Sequence, residues 1–351
     1  MRRWIRRVLL GGFIAAMTLA AGIGLYLHSL DLDSQPPPDP RSSAADLAFL
    51  RGAPPPTRGR ILAVVSSAAY FPGTAKRAGF ELTELSRAYY TFLANGYAVD
   101  IASPLGGTPQ MRVDDEDMGA ADHAFLNDAQ ARAKLAASLP LDQVDASGYA
   151  AVYFVGGKGA MFDFPGDTAI ARIVRHVHDT GGVIGAVCHG PAALLGVALG
   201  DGTPLLRGRR VTGFTNAEEL FLMEDARQRF GTLLQDALAA QGGHFVEGAL
   251  YLDNTVVDGR LVTGQNPWST WSVAEAMVRA LGHAPAAREA TGEEQAVRVL
   301  EAYRRGGAAA ARAARQALPA ADKRLLLMHA LVAAMQRRWR DAWHLQRLAH
   351  G

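Results

Sequence analysis

The stretch Val183-Ile184-Gly185-Ala186-Val187-Cys188-His189-Gly190-Pro191-Ala192 decides how this chain is read. Five apolar residues suit a buried strand. They run into a potential nucleophile, and small residues and a helix start come next. That is the layout of a nucleophile elbow, a turn so sharp that its flanking residues must be small. Cys188 is the only cysteine in 351 residues, so the chain has no intramolecular disulfide and no cysteine-based metal site. A lone cysteine is more often a small buried apolar residue. Its place at the carboxyl end of a strand, where open α/β sheets put their ligands, argues instead for chemistry. A helix start beyond it predicts a depressed thiol pKa, and the His189 N–H is aimed where an oxyanion would form.

Working outward, Arg60 to Val65, Ala98 to Ala102 and Ala151 to Val155 are further short apolar runs. Between them lie helical patterns over Glu84 to Asn95 and Thr168 to Thr180. Strands that alternate with helices and read as continuous apolar runs predict a parallel sheet covered on both faces. Asp258-Gly259 is a hairpin turn between Thr255-Val256-Val257 and Leu261-Val262-Thr263. Residues 270–281 form the last helix of this unit. A second glycine-rich segment, Gly156-Gly157-Lys158-Gly159, comes after the strand that ends at Val155 and lets backbone approach a ligand. Most such loops are only turns.

The ends differ from the middle. Arg2, Arg3, Arg6 and Arg7 precede an uncharged run from Val8 to Leu27, long enough for a membrane-spanning helix. A cleaved signal would have a shorter apolar region and a small-x-small site. The expectation is therefore a single-pass anchor over residues 1–28, with membrane contact through residues 8–27 and the rest of the chain on the periplasmic side. Residues 29–59, with Pro36-Pro37-Pro38 and Pro54-Pro55-Pro56, read as a Pro-rich linker. Residues 60–283 form the α/β domain. Residues 284–351 form a helical extension, with helices near 291–304, 307–317 and 320–348. The net charge is only +2 and its arginines cluster at the ends, so no nucleic-acid partner is implied. A composition 49% hydrophobic and 20% charged excludes bulk disorder.

At this point the residues resemble a known group. Ala186 to Pro191 resembles the elbow of the PfpI-type family in the class I glutamine-amidotransferase-like superfamily. Gly156 to Pro165, Thr212 to Glu219, Val262 to Pro267, Gly79 to Tyr90 and Ala102 to Gly107 are similar to its glyoxalase III and heat-shock chaperone branch. The resemblance covers about residues 60–282. It implies a flavodoxin-like parallel-sheet sandwich and a catalytic set of Cys188, His189, Glu84 and Glu219. In that set Glu84 stands beside the nucleophile, and Glu219, with Glu218 as its neighbour in register, orients His189. Gly157 and Lys158 would bind substrate or oxyanion, Lys158 replacing a histidine common in relatives. Tyr89 and Trp268 are candidates for the pocket lining, although aromatic residues are more often core.

The function implied is a glyoxalase III-like lyase that turns a 2-oxoaldehyde into a 2-hydroxy acid. Its partner is a small carbonyl substrate, it needs no cofactor and no metal, and it leaves room for a homodimer. Two alternatives stay open, a Cys-His-Glu peptidase or amidase and a stress chaperone with a vestigial site. Glutamine amidotransfer is disfavoured, because His244-Phe245-Val246-Glu247 lacks the spacing of the histidine–glutamate pair that this chemistry uses.

Overall fold

Each apolar run of the middle region becomes a strand. The computed structural model describes residues 2–35, 37–114 and 118–350, with backbone alone at Arg2–Gly11, Ile14, Ala15 and Leu27. A seven-stranded sheet is built from β1 (Arg60–Val64), β2 (Ala98–Ser103), β3 (Leu139–Pro140), β4 (Ala151–Phe154), β5 (Val183–Val187), β6 (Thr255–Asp258) and β7 (Leu261–Gly264). Their order is β6-β7-β5-β4-β1-β2-β3. Every pairing is parallel except the β6–β7 hairpin. Parallel neighbours need crossovers, and the helices α2 (Leu82–Ala94) and α3 (Thr168–Asp179) supply two of them.

All five residues of β5 and all four of β4 are buried, so both sheet faces are covered, as the unbroken apolar runs require. On one face a helix α5 (Thr270–Ala280) lies so close that a Cβ at Gly185 would collide with Met277. The strand order puts β5 and β4 centrally, with their carboxyl ends at Cys188 and Gly156. This is where the two chemistry-bearing loops of the sequence come together.

The chain divides into two compact units. One is Pro38–Glu289, which holds the sheet; the other is Met1–Pro37 with Ala290–Gly351. In the second unit a helix α1 (Arg2–Ser29) belongs with α6 (Gly292–Ala317), α7 (Lys323–Met335) and α8 (Trp339–His350). α6 is broken at Gly307, where φ is 68°. The long helix expected over 320–348 is interrupted between Met335 and Trp339, where Arg337 takes a φ of 59°. The Lys323 ammonium is buried and donates to the Leu30 and Asp31 carbonyls and to Ser34 Oγ. Gln35 bonds the Ala321 carbonyl and the Lys323 N–H. In the sheet unit, the Asn127 amide holds the Pro40 and Ser42 carbonyls, and Arg58 N–H donates to Gly96 O. Residues 38–58 are thus tied to the sheet unit.

One expectation is overturned. Among the described residues no helix is long and apolar enough to cross a membrane. A span needs about 30 Å of continuous apolar helix, and α1 does not present it over the described residues. The transmembrane helix in the fold class, the membrane contact through residues 8–27 and the single-pass periplasmic topology are corrected accordingly. Within the Val8–Leu27 run, the side chains of Val8–Gly11, Ile14, Ala15 and Leu27 lie outside the described residues.

Candidate active site

The elbow is strained as its sequence requires. β5 ends at Val187, and Cys188 takes a φ of 58°, a left-handed conformation that costs a non-glycine residue about 1–3 kcal/mol. The surrounding backbone holds it there. Cys188 N–H donates to Gly264 O at 2.9 Å, and Cys188 O accepts from Phe214 N–H at 2.8 Å. Gly190 must lack a side chain, because a Cβ there would run into the Phe154 carbonyl. The chain leaves the elbow in a five-residue 3-10 segment, Gly190–Leu194, rather than in an α-helix. The expected dipole is correspondingly short.

The structure brings Cys188, His189, Glu219 and Glu84 together. Cys188 Sγ lies 3.3 Å from His189 Nδ1, and His189 Nε2 lies 2.5 Å from Glu219 Oε2. A carboxylate can only accept, so Nε2 carries the proton and Nδ1 presents its lone pair to the thiol. The imidazole is 2% exposed and is held by the Phe214 ring at 4.7 Å. Glu219 is on α4 (Asn216–Leu222). Burial opposes its charge, but His189, with the ammonium groups of Lys158 and Lys76, carries the carboxyl below its ordinary value.

Glu218, its neighbour in register, faces elsewhere. It closes a capping box with Thr215 and accepts from Tyr251 N–H, Gln265 and Asn266. It ties α4 to the loops after β7, whereas Glu219 alone reaches the histidine.

Glu84 sits on the first turn of α2 and is completely buried. Its Oε2 accepts from Gly156 N–H at 2.7 Å, while Oε1 has no hydrogen-bond partner within the protein. Tyr153, from the middle of β4, donates its hydroxyl to the Glu84 carbonyl. Gly156 separates the acid from the nucleophile. A Cβ there would lie 2.5 Å from Glu84 Oε2 and 2.8 Å from Cys188 Cβ. Burial, reinforced by the Glu81 charge, pushes the Glu84 carboxyl well up, so it holds its proton.

The thiol departs from expectation. Burial pushes Cys188 well up, with the Glu84 and Glu81 carboxyls adding to the effect and Gly157 N–H opposing it. Lys158 bears on Glu81 and Glu219. Burial and the adjoining carboxyls thus favour the protonated thiol over the thiolate. Gly157 has a φ of 98° and no room for a side chain against Gly79 and Phe80. Its N–H is directed at the sulfur, as an oxyanion donor would be.

Tyr89 and Trp268 differ from expectation in degree. Tyr89 stacks edge-on with Tyr90 and Phe125 in the core, whereas Trp268 meets Tyr251. No pattern in the sequence announces an aromatic wall beside His189. Phe71, Phe162 and Phe230 pack on one another with ring centroids 5.0–5.5 Å apart, and Phe230 lies 6.1 Å from the His189 ring. Among the described residues no cluster of His, Cys, Asp or Glu is arranged to hold a metal ion.

Residues 75–280 match the model of the DJ-1/PfpI family. Glyoxalase 3 of Candida albicans is 30% identical over 63% of this chain and 97% of its own length. The glutathione-independent glyoxalase HSP31 of Saccharomyces cerevisiae is also 30% identical, over the same shares. The crystal structure of glyoxalase III from Candida albicans superposes with a TM-score of 0.59 at 27% identity, covering 64% of this chain and 97% of that one. The elbow, the buried acid beside it and these relatives place the chain in the DJ-1/PfpI family, in its glyoxalase III branch.

Proposed function

We propose that this chain is a Cys188-dependent enzyme that converts 2-oxoaldehydes to 2-hydroxy acids without glutathione. One observation carries the reading. A fully buried carboxyl, Glu84, shares Gly156 with the nucleophile and leaves one oxygen unbonded. A Cys-His-Glu hydrolase needs only the first three groups and has no use for such an acid.

The residues account for every proton. His189 Nδ1 takes the thiol proton while Sγ bonds the aldehyde carbon, and the aldehyde oxygen takes the Glu84 proton beside the Gly157 N–H. Glu84, now a carboxylate, removes the hydrogen of the former aldehyde carbon, and the keto oxygen takes the proton back from His189. The enediol formed receives the Glu84 proton at the neighbouring carbon as its first hydroxyl yields one to His189. That leaves a 2-hydroxy thioester. Water, losing a proton to Glu84, attacks the thioester carbon. The C–S bond breaks, Cys188 recovers its proton from His189, and the 2-hydroxy acid departs. Glu219 keeps the imidazole in the required tautomer throughout.

The test is lactate formation from methylglyoxal by the full chain in buffer free of glutathione. Wild-type protein forms lactate and Cys188→Ser does not. Folded wild-type protein that forms none, or lactate that persists in Cys188→Ser, removes the proposal.

A further inference from the structure

The mouth of the site carries two cations that the chemistry above does not use. Lys158 comes directly after the oxyanion glycine and is half-buried, and among the described residues it has no hydrogen bond or ion pair. Lys76 lies at the rim. Its Nζ stands 4.9 Å above the Phe71 ring and 3.0 Å from Met223 Sδ, and these are its only close partners among the described residues. Met223 is one helical turn beyond Glu219, since its N–H donates to the Glu219 carbonyl. Phe71 continues through Phe162 and Phe230 to His189.

One continuous aromatic cluster thus runs from the Lys76 ammonium, through a buried Phe71 and the partly exposed Phe162 and Phe230, to the His189 imidazole. Among the described residues no nearby acid makes a direct ion pair with Lys76 or Lys158, although Glu219, Glu81 and Asp225 act on the two ammonium groups at longer range. Glu219 is committed to His189 at 2.5 Å, and Glu84 is completely buried against Gly156. Burial also pushes the Glu81 carboxyl up. The neighbouring Arg229 is already paired with Asp225 at 2.7 Å. Two ammonium groups without carboxylate partners at the end of an apolar wall form a receptor for an anion on an apolar stem.

Resting on the glyoxalase reading, we propose that the preferred substrates are 2-oxoaldehydes whose second substituent is an apolar or aromatic stem ending in a carboxylate or phosphate. Lys76 and Lys158 hold that anion while the partly exposed rings of Phe162 and Phe230, packed on Phe71, hold the stem. Small neutral oxoaldehydes react at the same cysteine without this anchorage.

The experiment compares kcat/KM for 4-carboxyphenylglyoxal and phenylglyoxal, two probes that differ only in the anion. The wild-type ratio is expected at about tenfold in favour of the carboxylate, the size of one partly desolvated ion pair. Lys76→Met and Lys158→Met should each lower the ratio about threefold or more, and Lys76→Glu should lower it further. A second arm needs no turnover and measures protection of Cys188 from iodoacetamide by benzoate and by benzyl alcohol. Benzoate should protect at about tenfold lower concentration, and the lysine variants should erase the difference. Loss of turnover on both aldehydes with lysine-dependent protection by benzoate would sink the glyoxalase reading and support the anion receptor. A ratio near one together with equal protection by the two ligands would overturn the receptor, whatever the turnover.

Discussion

Gly156→Ala is the sharpest probe of how the acid and the nucleophile are spaced. The added methyl would lie 2.5 Å from Glu84 Oε2, 2.6 Å from the Val187 carbonyl and 2.8 Å from Cys188 Cβ. Ordinary carbon contacts begin near 3.4 Å, so something must move by roughly 1 Å. Val187 is fixed in β5, and Cys188 is pinned by its bonds to Gly264 and Phe214. The carboxyl yields and the Gly156 backbone itself backs away from the fixed Val187 carbonyl, so the 2.7 Å bond from Gly156 N–H to the carboxyl is lost. Overpacking of this kind costs about 1–3 kcal/mol of stability. A displacement of about 1 Å in a catalytic group costs on the order of 10²-fold in rate. We expect Gly156→Ala to fold with a lowered melting temperature and to lose about 100-fold in kcat for methylglyoxal. Gly148→Ala is the control, because a Cβ at Gly148 meets nothing within 4 Å. A Gly156→Ala enzyme with kcat within about threefold of wild type and an unchanged melting temperature would refute the reasoning, since the acid would then not depend on that gap.

The same geometry sets three further outcomes. Glu84→Gln should remove about 10²–10⁴-fold of turnover, while Glu219→Gln, whose amide still accepts from His189 Nε2, should retain more; equal losses in steady-state assays would show that the two acids do the same job. The pH profile of iodoacetamide reaction should place the Cys188 midpoint above an ordinary thiol's, and Glu84→Gln should lower it by removing the adjoining acid; a wild-type midpoint below the ordinary value would contradict the buried-thiol picture. Asp163, which accepts from Ser66 Oγ, Ser67 N–H and Ala68 N–H, is pushed by burial from 3.8 to about 6 in the folded protein. Its stabilising contribution is therefore complete below about pH 4 and lost as pH rises through about 6, so Asp163→Asn should gain on wild type in melting temperature between those values, and parallel curves would count against it.

The central strands and the elbow are legible because a parallel strand buried on both faces leaves an apolar run that nothing else in the chain imitates. Val183–Val187 coincides with the run read from sequence. The choice between Glu218 and Glu219 is also written in the chain. Thr215-x-x-Glu218 is a capping-box pattern, and a carboxylate committed to its own helix start cannot also serve the histidine.

The thiol escapes a sequence reading for a physical reason. Helix-start stabilisation is local and visible, whereas burial by distant elements and the nearness of Glu84 and Glu81 appear only in three dimensions. Phe71 and Lys76 carry no periodic signal because they lie outside helix and strand. Their meeting with Phe230, far along the chain, depends on the folded topology. The apolar run at the start reads as an anchor by length and charge alone, but among the described residues no helix is long and apolar enough to cross a membrane.

The Lys323 ammonium, buried against Leu30, Asp31 and Ser34, has a consequence for the order in which the protein is made. Helix α1 leaves the ribosome well before the residues that receive it. At about 5–20 residues per second, the interval between residue 37 and residue 323 is roughly 15–60 s. The sheet unit, with all its strands between residues 60 and 264, emerges within that interval and is free to fold first. Phe13, Met17, Leu19, Ile23 and Leu25 remain more than half exposed even in the finished structure, so during that wait they are open to proteases and to other nascent chains. Removal of the last 62 residues would make the wait permanent, leaving the Leu30 and Asp31 carbonyls and Ser34 Oγ without the ammonium that ties them down.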